Sequence, residues 1–140
     1  MRIAVTGMGI VSPLGNDIET FWQALLEGRD GISELSRFDT NGFKFTRGGE
    51  IRDFQPPAAI AGKRDGMDIA TQFICAAAWQ AFEQARLCES NAADPADTGV
   101  VLATNFGGAA AAEKLYEHIA ECGEATGADF RESVVQTAVD

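Results

Sequence analysis

Val5-Thr6-Gly7-Met8-Gly9-Ile10-Val11-Ser12-Pro13-Leu14-Gly15-Asn16 is the stretch on which the fold of this chain turns. Residues 3–11 are apolar apart from Thr6 and are interrupted by Gly7 and Gly9, which predicts a buried strand. Ser12-Pro13-Leu14-Gly15 predicts a tight turn after it. Asn16-Asp17-Ile18-Glu19 opens a helix, with Asn16 as the expected cap and Glu19 three residues on, as a capping box requires. Phe21, Trp22, Leu25 and Leu26 recur at helical spacing, and Gly28 is the expected stop. Strand, turn and helix in that order are the usual opening of an α/β domain.

Further along, residues 31–41 read as irregular and 43–51 as a short strand, and Pro56-Pro57 forces a loop. Residues 67–87 predict the longest helix. Its apolar positions, among them Ile69, Phe73, Ile74, Ala77, Ala81 and Ala85, cover most of the circumference, as in a helix buried within a layered protein. Residues 91–97 read as a polar loop and 99–104 as a short apolar strand. Gly107-Gly108 leads into an Ala-rich helix through about Cys122, and 130–139 begin one more helix. A buried central helix needs cover on two sides, and this chain supplies few elements for it. The sequence reads as part of something larger.

The 140 residues fit one domain with enough chain to bury a core, and 46% hydrophobic with 23% charged residues is the profile of a soluble globular protein. Eleven Lys and Arg against 21 Asp and Glu give a net charge of −10, which argues against nucleic acid and anionic membrane surfaces as partners. No apolar run reaches the roughly 20 residues of a membrane span. The start reads straight into the first strand without a cleavable signal pattern. Cys75, Cys88 and Cys122 are odd in number and far apart, which argues against a disulfide framework or a zinc site and for a reduced, cytoplasmic setting.

The glycines of Gly7-Met8-Gly9 invite a dinucleotide-binding reading, but Ser12 stands where the third glycine belongs. A tight turn is the plainer reading. Thr104-Asn105-Phe106-Gly107-Gly108 joins a strand to a helix start that could hold an anion. Ala109 to Ala112 follow in place of a phosphate loop's Lys and Ser/Thr, so close backbone packing is favoured. Cys75 lies mid-helix and reads as a core residue. Cys88 closes that helix and Cys122 lies in a Glu-rich segment, neither with a His beside it, and His118, the only histidine, reads as part of a solvated helix face. One histidine supplies neither a metal site nor a two-base mechanism. The expectation is therefore no catalytic residue, no metal and no cofactor.

Taken in order, several blocks resemble the N-terminal part of the β-ketoacyl-(acyl carrier protein) synthases of type II fatty-acid synthesis. They are the opening 5–16, Phe21-Trp22, Leu25-Leu26-Glu27-Gly28, Gly31-Ile32, Arg37-Phe38-Asp39-Thr40, Gly49-Glu50-Ile51-Arg52-Asp53-Phe54, Met67-Asp68 and Phe106-Gly107-Gly108. Similarly spaced, they cover the chain to about Ala111. The resemblance implies an α/β fold, the first half of a thiolase-like layered α-β-α-β-α structure, with 1–140 as an incomplete synthase domain. Such enzymes load an acyl group on a cysteine and condense it with malonyl carrier protein by decarboxylation, aided by two histidines and a lysine. None of Cys75, Cys88, Cys122 or His118 matches those residues, so no catalytic role is carried over.

Two roles do carry over as implications of the resemblance. Phe106 stands where an aliphatic residue usually lines the acyl pocket, and would either narrow that pocket or serve core packing. Lys63 and Arg64 stand in the segment that helps dock the acidic carrier protein, although Asp65, Gly66 and the chain's own acidity depart from that pattern, as does Asn105 where glycine is usual. The expected partners are acyl carrier protein through the complete enzyme, and a second like chain or a complementary synthase chain. A non-catalytic partner subunit is the alternative function, and a free nucleotide-binding domain the third.

Overall fold

Asp17, not Asn16, starts the first helix. In this computed structural model Asp17 is extended and its carboxylate accepts both the N–H and the hydroxyl of Thr20, each at 2.8 Å. The Thr20 N–H first, then the hydroxyl, hold the Asp17 carboxyl below its ordinary value. The Asn16 side chain makes no such cap, while its backbone carbonyl accepts from Gln80 Nε2 at 2.6 Å. Helix α1 runs Ile18–Leu26 and ends at Gly28, whose φ of +65° admits the left-handed turn. There Gly28 N–H reaches the Leu25 carbonyl and Arg29 N–H the Ala24 carbonyl, the paired bonds of a Schellman ending.

The structure describes residues 2–62, 67–87, 98–105, 107–124 and 126–127. After α1 come β1 (Ser33–Glu34), β2 (Arg47–Gly48), α2 (Ala58–Ala61), α3 (Ile69–Gln84) and α4 (Ala109–Cys122). The two strands pair antiparallel, Ser33 with Gly48 and Glu34 with Arg47. The chain divides into two units, 1–57 with 76–93 and 58–75 with 94–140, so α3 gives its first half to one and its second half to the other. No described helix is long and apolar enough to cross a membrane. The helix expected over 130–139 lies outside the described residues.

The first unit is organised by residues 3–11 lying along α3. A Cβ at Gly7 would collide with the carbonyl of Ala81 and stand 3.0 Å from Ala85 Cβ. One at Gly9 would collide with the carbonyl of Ala77 and stand 2.9 Å from Gln80 Cβ. The two glycines thus meet the alanine stripe 77, 81, 85, which recurs every four residues on one helix face. Two glutamines latch the contact. Gln84 accepts the N–H of Met8 at 2.7 Å, and Gln80 accepts that of Ile10 at 3.0 Å while donating to Asn16. The expected turn is present, with Ser12 and Gly15 exchanging backbone bonds of 2.9 and 3.1 Å.

This arrangement corrects the expected strand over 3–11. The segment is extended, yet it pairs with no strand among the described residues, and helix glutamines take the donors of Met8 and Ile10. Nor is it buried: Ile3 is 88% exposed and Val5 80%. Residues 99–104, also expected to form a strand, are likewise unpaired among the described residues, with Val101 95% exposed, whereas β2 lies within the strand expected over 43–51. The expected irregular stretch 31–41 instead contains β1. The core expected from composition is correspondingly thin. Only Ala24, Ala76 and Leu115 are buried apolar residues among those described, and Trp22, Leu25 and Leu26 of α1 stay exposed. Helix α3, expected to be buried, has only Gln72 and Ala76 buried; most of its middle is half-buried, and Ile69 and Phe82 near its ends are exposed.

Substitution at Gly9 tests this packing. Gly9→Ala must push the segment off α3, as overpacking does, at a cost of about 1–3 kcal/mol or more. Denaturant unfolding of the variant should show that loss, and an unchanged midpoint would contradict the close approach.

Candidate functional site

Three polar assemblies are available for function: the start of α4, the Cys and His residues, and the groove beside the Ser12–Gly15 turn. At the first, Gly107 N–H donates to Thr104 Oγ1 at 2.8 Å, and a Cβ on Gly107 would lie 2.6 Å from Thr104 Cγ2. Gly107 is thus packed against the Thr104 side chain within the same turn, and Gly108 has a left-handed φ of +81°. Gly108 precedes α4 without a capping side chain, and its N–H donates to Asp68 Oδ2 at 3.1 Å. The other oxygen of Asp68 accepts the Thr71 N–H at 2.6 Å, capping α3. Burial pushes the Asp68 carboxyl up, but hydrogen bonds from the Thr71 N–H and hydroxyl, Gly108 and Ala70 outweigh it and hold the group below its ordinary value. The Gly108 donor that could have met a bound anion is satisfied by the chain's own carboxylate.

Phe106, expected at the acyl pocket, and Lys63 and Arg64, expected at the carrier-docking segment, lie outside the described residues, as does Cys88. Cys75 is half-buried within α3. Cys122 is exposed at the end of α4, and here the sequence reading is corrected, because its Sγ lies 3.8 Å from His118 Nδ1. The two are four residues apart, one helical turn, so they meet in space though not in sequence. The i, i+4 spacing was the available signal. Among the described residues no group of three or more His, Cys, Asp or Glu could hold a metal ion.

The third assembly lies wholly in the first unit. An open groove of about 320 Å³ is lined by the turn residues Ser12 to Gly15 with Asn16, and by Asp30, Glu50, Arg52 and Asp53 among others. Three carboxylates against one guanidinium make it a poor receptor for anions. Glu50 organises its wall. That side chain is only 4% exposed, and its Oε2 accepts the Ser36 N–H at 3.0 Å, the Ser36 hydroxyl at 2.8 Å and Arg52 Nε at 3.1 Å. Arg37 Nε stands 3.6 Å from the other oxygen. Arg52 continues to the Glu34 carbonyl, Arg37 to that of Ile51 at 3.3 Å, and Arg47 to that of Ile32 at 2.8 Å. The Arg37 and Gly49–Phe54 blocks of the sequence are thus joined through one carboxylate, flanking the β1–β2 pair.

The Ser36 hydroxyl first, with Arg52 and the Ser36 N–H behind it, holds the Glu50 carboxyl below its ordinary value against the opposing effect of burial. A depressed folded value stabilises the fold above the unfolded Glu value of about 4.3, and this stabilisation is lost as pH falls through the folded value. Glu50→Gln should therefore melt below the wild type at pH 7, with the gap closing as the pH drops below about 4. A gap independent of pH would contradict an ionised Glu50.

Residues 1–136 match the family model described as the β-ketoacyl synthase N-terminal domain. The chain is 37% identical over 123 residues to 3-oxoacyl-[acyl-carrier-protein] synthase 2 of Coxiella burnetii, covering 87% of this chain and 30% of that protein. It is 37% identical over 110 residues to the chloroplastic synthase I of Arabidopsis thaliana, covering 76% of this chain and 23% of the relative. The solved ishigamide ketosynthase/chain length factor superposes with a TM-score of 0.61 at 29% identity, over 86% of this chain and 30% of that one. The chain thus spans about 30% or less of the length of these relatives. On the match over residues 1–136, it belongs to the β-ketoacyl synthase family and corresponds to its N-terminal domain.

Proposed function

We propose that this chain is the N-terminal portion of a β-ketoacyl-(acyl carrier protein) synthase and acts there as scaffold, the reacting groups lying in the remainder of the enzyme. The family match over residues 1–136 carries this reading. In the whole enzyme an acyl group is held as a thioester on a cysteine. Malonyl carrier protein loses carbon dioxide, and the carbon so freed attacks the acyl carbonyl. A carbon–carbon bond forms and the cysteine leaves as thiolate. Such chemistry needs a nucleophile with a base and preorganised donors for the oxyanion. Among the described residues, Cys75 is half-buried mid-helix and Cys122 is exposed at the end of α4.

What the chain provides is the first half of a thiolase-like layered fold, with α3 as its internal helix. The exposed extended segments 3–11 and 99–104 supply backbone for sheet pairing once the rest of the enzyme is present. Acyl carrier protein is then the partner of the complete enzyme. A second reading, a non-catalytic subunit that completes a separate synthase chain, gains support from the likeness to a ketosynthase/chain length factor.

The isolated chain, incubated with acyl- and malonyl-carrier substrates, should release no β-ketoacyl product. Clear turnover by the isolated chain would overturn the scaffold reading.

A further inference from the structure

Cys122 and His118 are left over once the scaffold is accounted for. Both are exposed, and both stand on the last turn and a half of α4, which closes with Gly123 N–H on the Ile119 carbonyl at 2.8 Å. Their Sγ and Nδ1 atoms lie 3.8 Å apart. A zinc ion takes thiolate at about 2.3 Å and imidazole at about 2.0–2.1 Å, so two such ligands on tetrahedral positions stand about 3.6 Å apart. The observed separation is nearly that of a chelating pair before the ion arrives. We propose that His118 and Cys122 form a two-point chelate for a borderline or soft divalent cation such as Zn²⁺ or Cd²⁺, with water in the remaining positions.

The surroundings favour a cation over the rival use of the pair, a reactive thiol. The pair stands at the negative end of α4, and Glu117, Glu121 and Glu124 lie in the same stretch of chain. Helix-end carbonyls and carboxylates attract a dication. Binding replaces the thiol proton, which passes to water, and forms one metal–sulfur and one metal–nitrogen bond. Sulfur with imidazole selects zinc or cadmium over magnesium and calcium, which want oxygen. The site stands apart from the proposed scaffold role and does not depend on it.

The test uses the full chain carrying Cys75→Ser and Cys88→Ser, so that Cys122 is the one thiol. Titration with Cd²⁺ should give a saturable ultraviolet thiolate-to-metal band at one ion per chain. Cys122→Ser should abolish the band, and His118→Ala should weaken Cd²⁺ affinity by roughly tenfold or more. Cys122→His, which keeps two ligands one turn apart, should still bind Zn²⁺ by calorimetry. Unchanged affinity in His118→Ala would mean a lone thiolate and overturn the chelate, as would no Zn²⁺ binding by a Cys122→His chain that keeps its helical circular dichroism.

Discussion

Backbone-to-backbone proximity between residues 3–11 and α3 is the constraint from which the first unit follows. Gly7 and Gly9 sit where any Cβ would strike the carbonyls of Ala81 and Ala77, so the helix must present small residues and the segment none. Removing side chains from an interface forfeits apolar contact, and the glutamines offset that loss. Gln80 and Gln84 satisfy donors of the segment that no strand satisfies among the described residues, and Gln80 also holds the Asn16 carbonyl at the far side of the Ser12–Gly15 turn. Small residues bring the chains together, and the amides fix their register.

Much of this was written in the sequence, although not always for the reason first read from it. The helices α3 and α4 were legible because their apolar and alanine content is periodic, and α1 because its Gly28 stop is of a common kind. Gly7 and Gly9 were read as turn glycines, whereas they are contact glycines without positive φ. Such a role depends on a helix some 70 residues away. The cap is Asp17 rather than Asn16, and the Asn16 backbone carbonyl takes a long-range bond from Gln80 that no local pattern shows. Extended segments 3–11 and 99–104 were recognised as strand-like, but periodicity is silent on whether a partner strand exists.

Site chemistry was less legible than fold. The Gly49–Phe54 block could be matched as a motif, yet nothing in its spacing announces that Glu50 gathers Ser36, Arg37 and Arg52. That network is a product of the β1–β2 pairing, which places the two blocks side by side. The His118–Cys122 pair was legible in principle, since helix spacing places residues four apart on one face. Adjacency along the chain does not show it.

Exposure ties these features to function. Large apolar side chains at Ile3, Val5, Val100 and Val101 lie open, while the buried apolar set among the described residues is three side chains. Hydrophobic burial is the main favourable term in folding, so a chain with this balance gains most by adding to a larger body. The claim that it is one part of a synthase is tested most directly by the intact mass of the polypeptide in its native source. Coverage of about 30% of its relatives predicts a mass roughly three times 14.9 kDa. A free chain of 14.9 kDa would contradict that claim and leave the separate-subunit reading in its place.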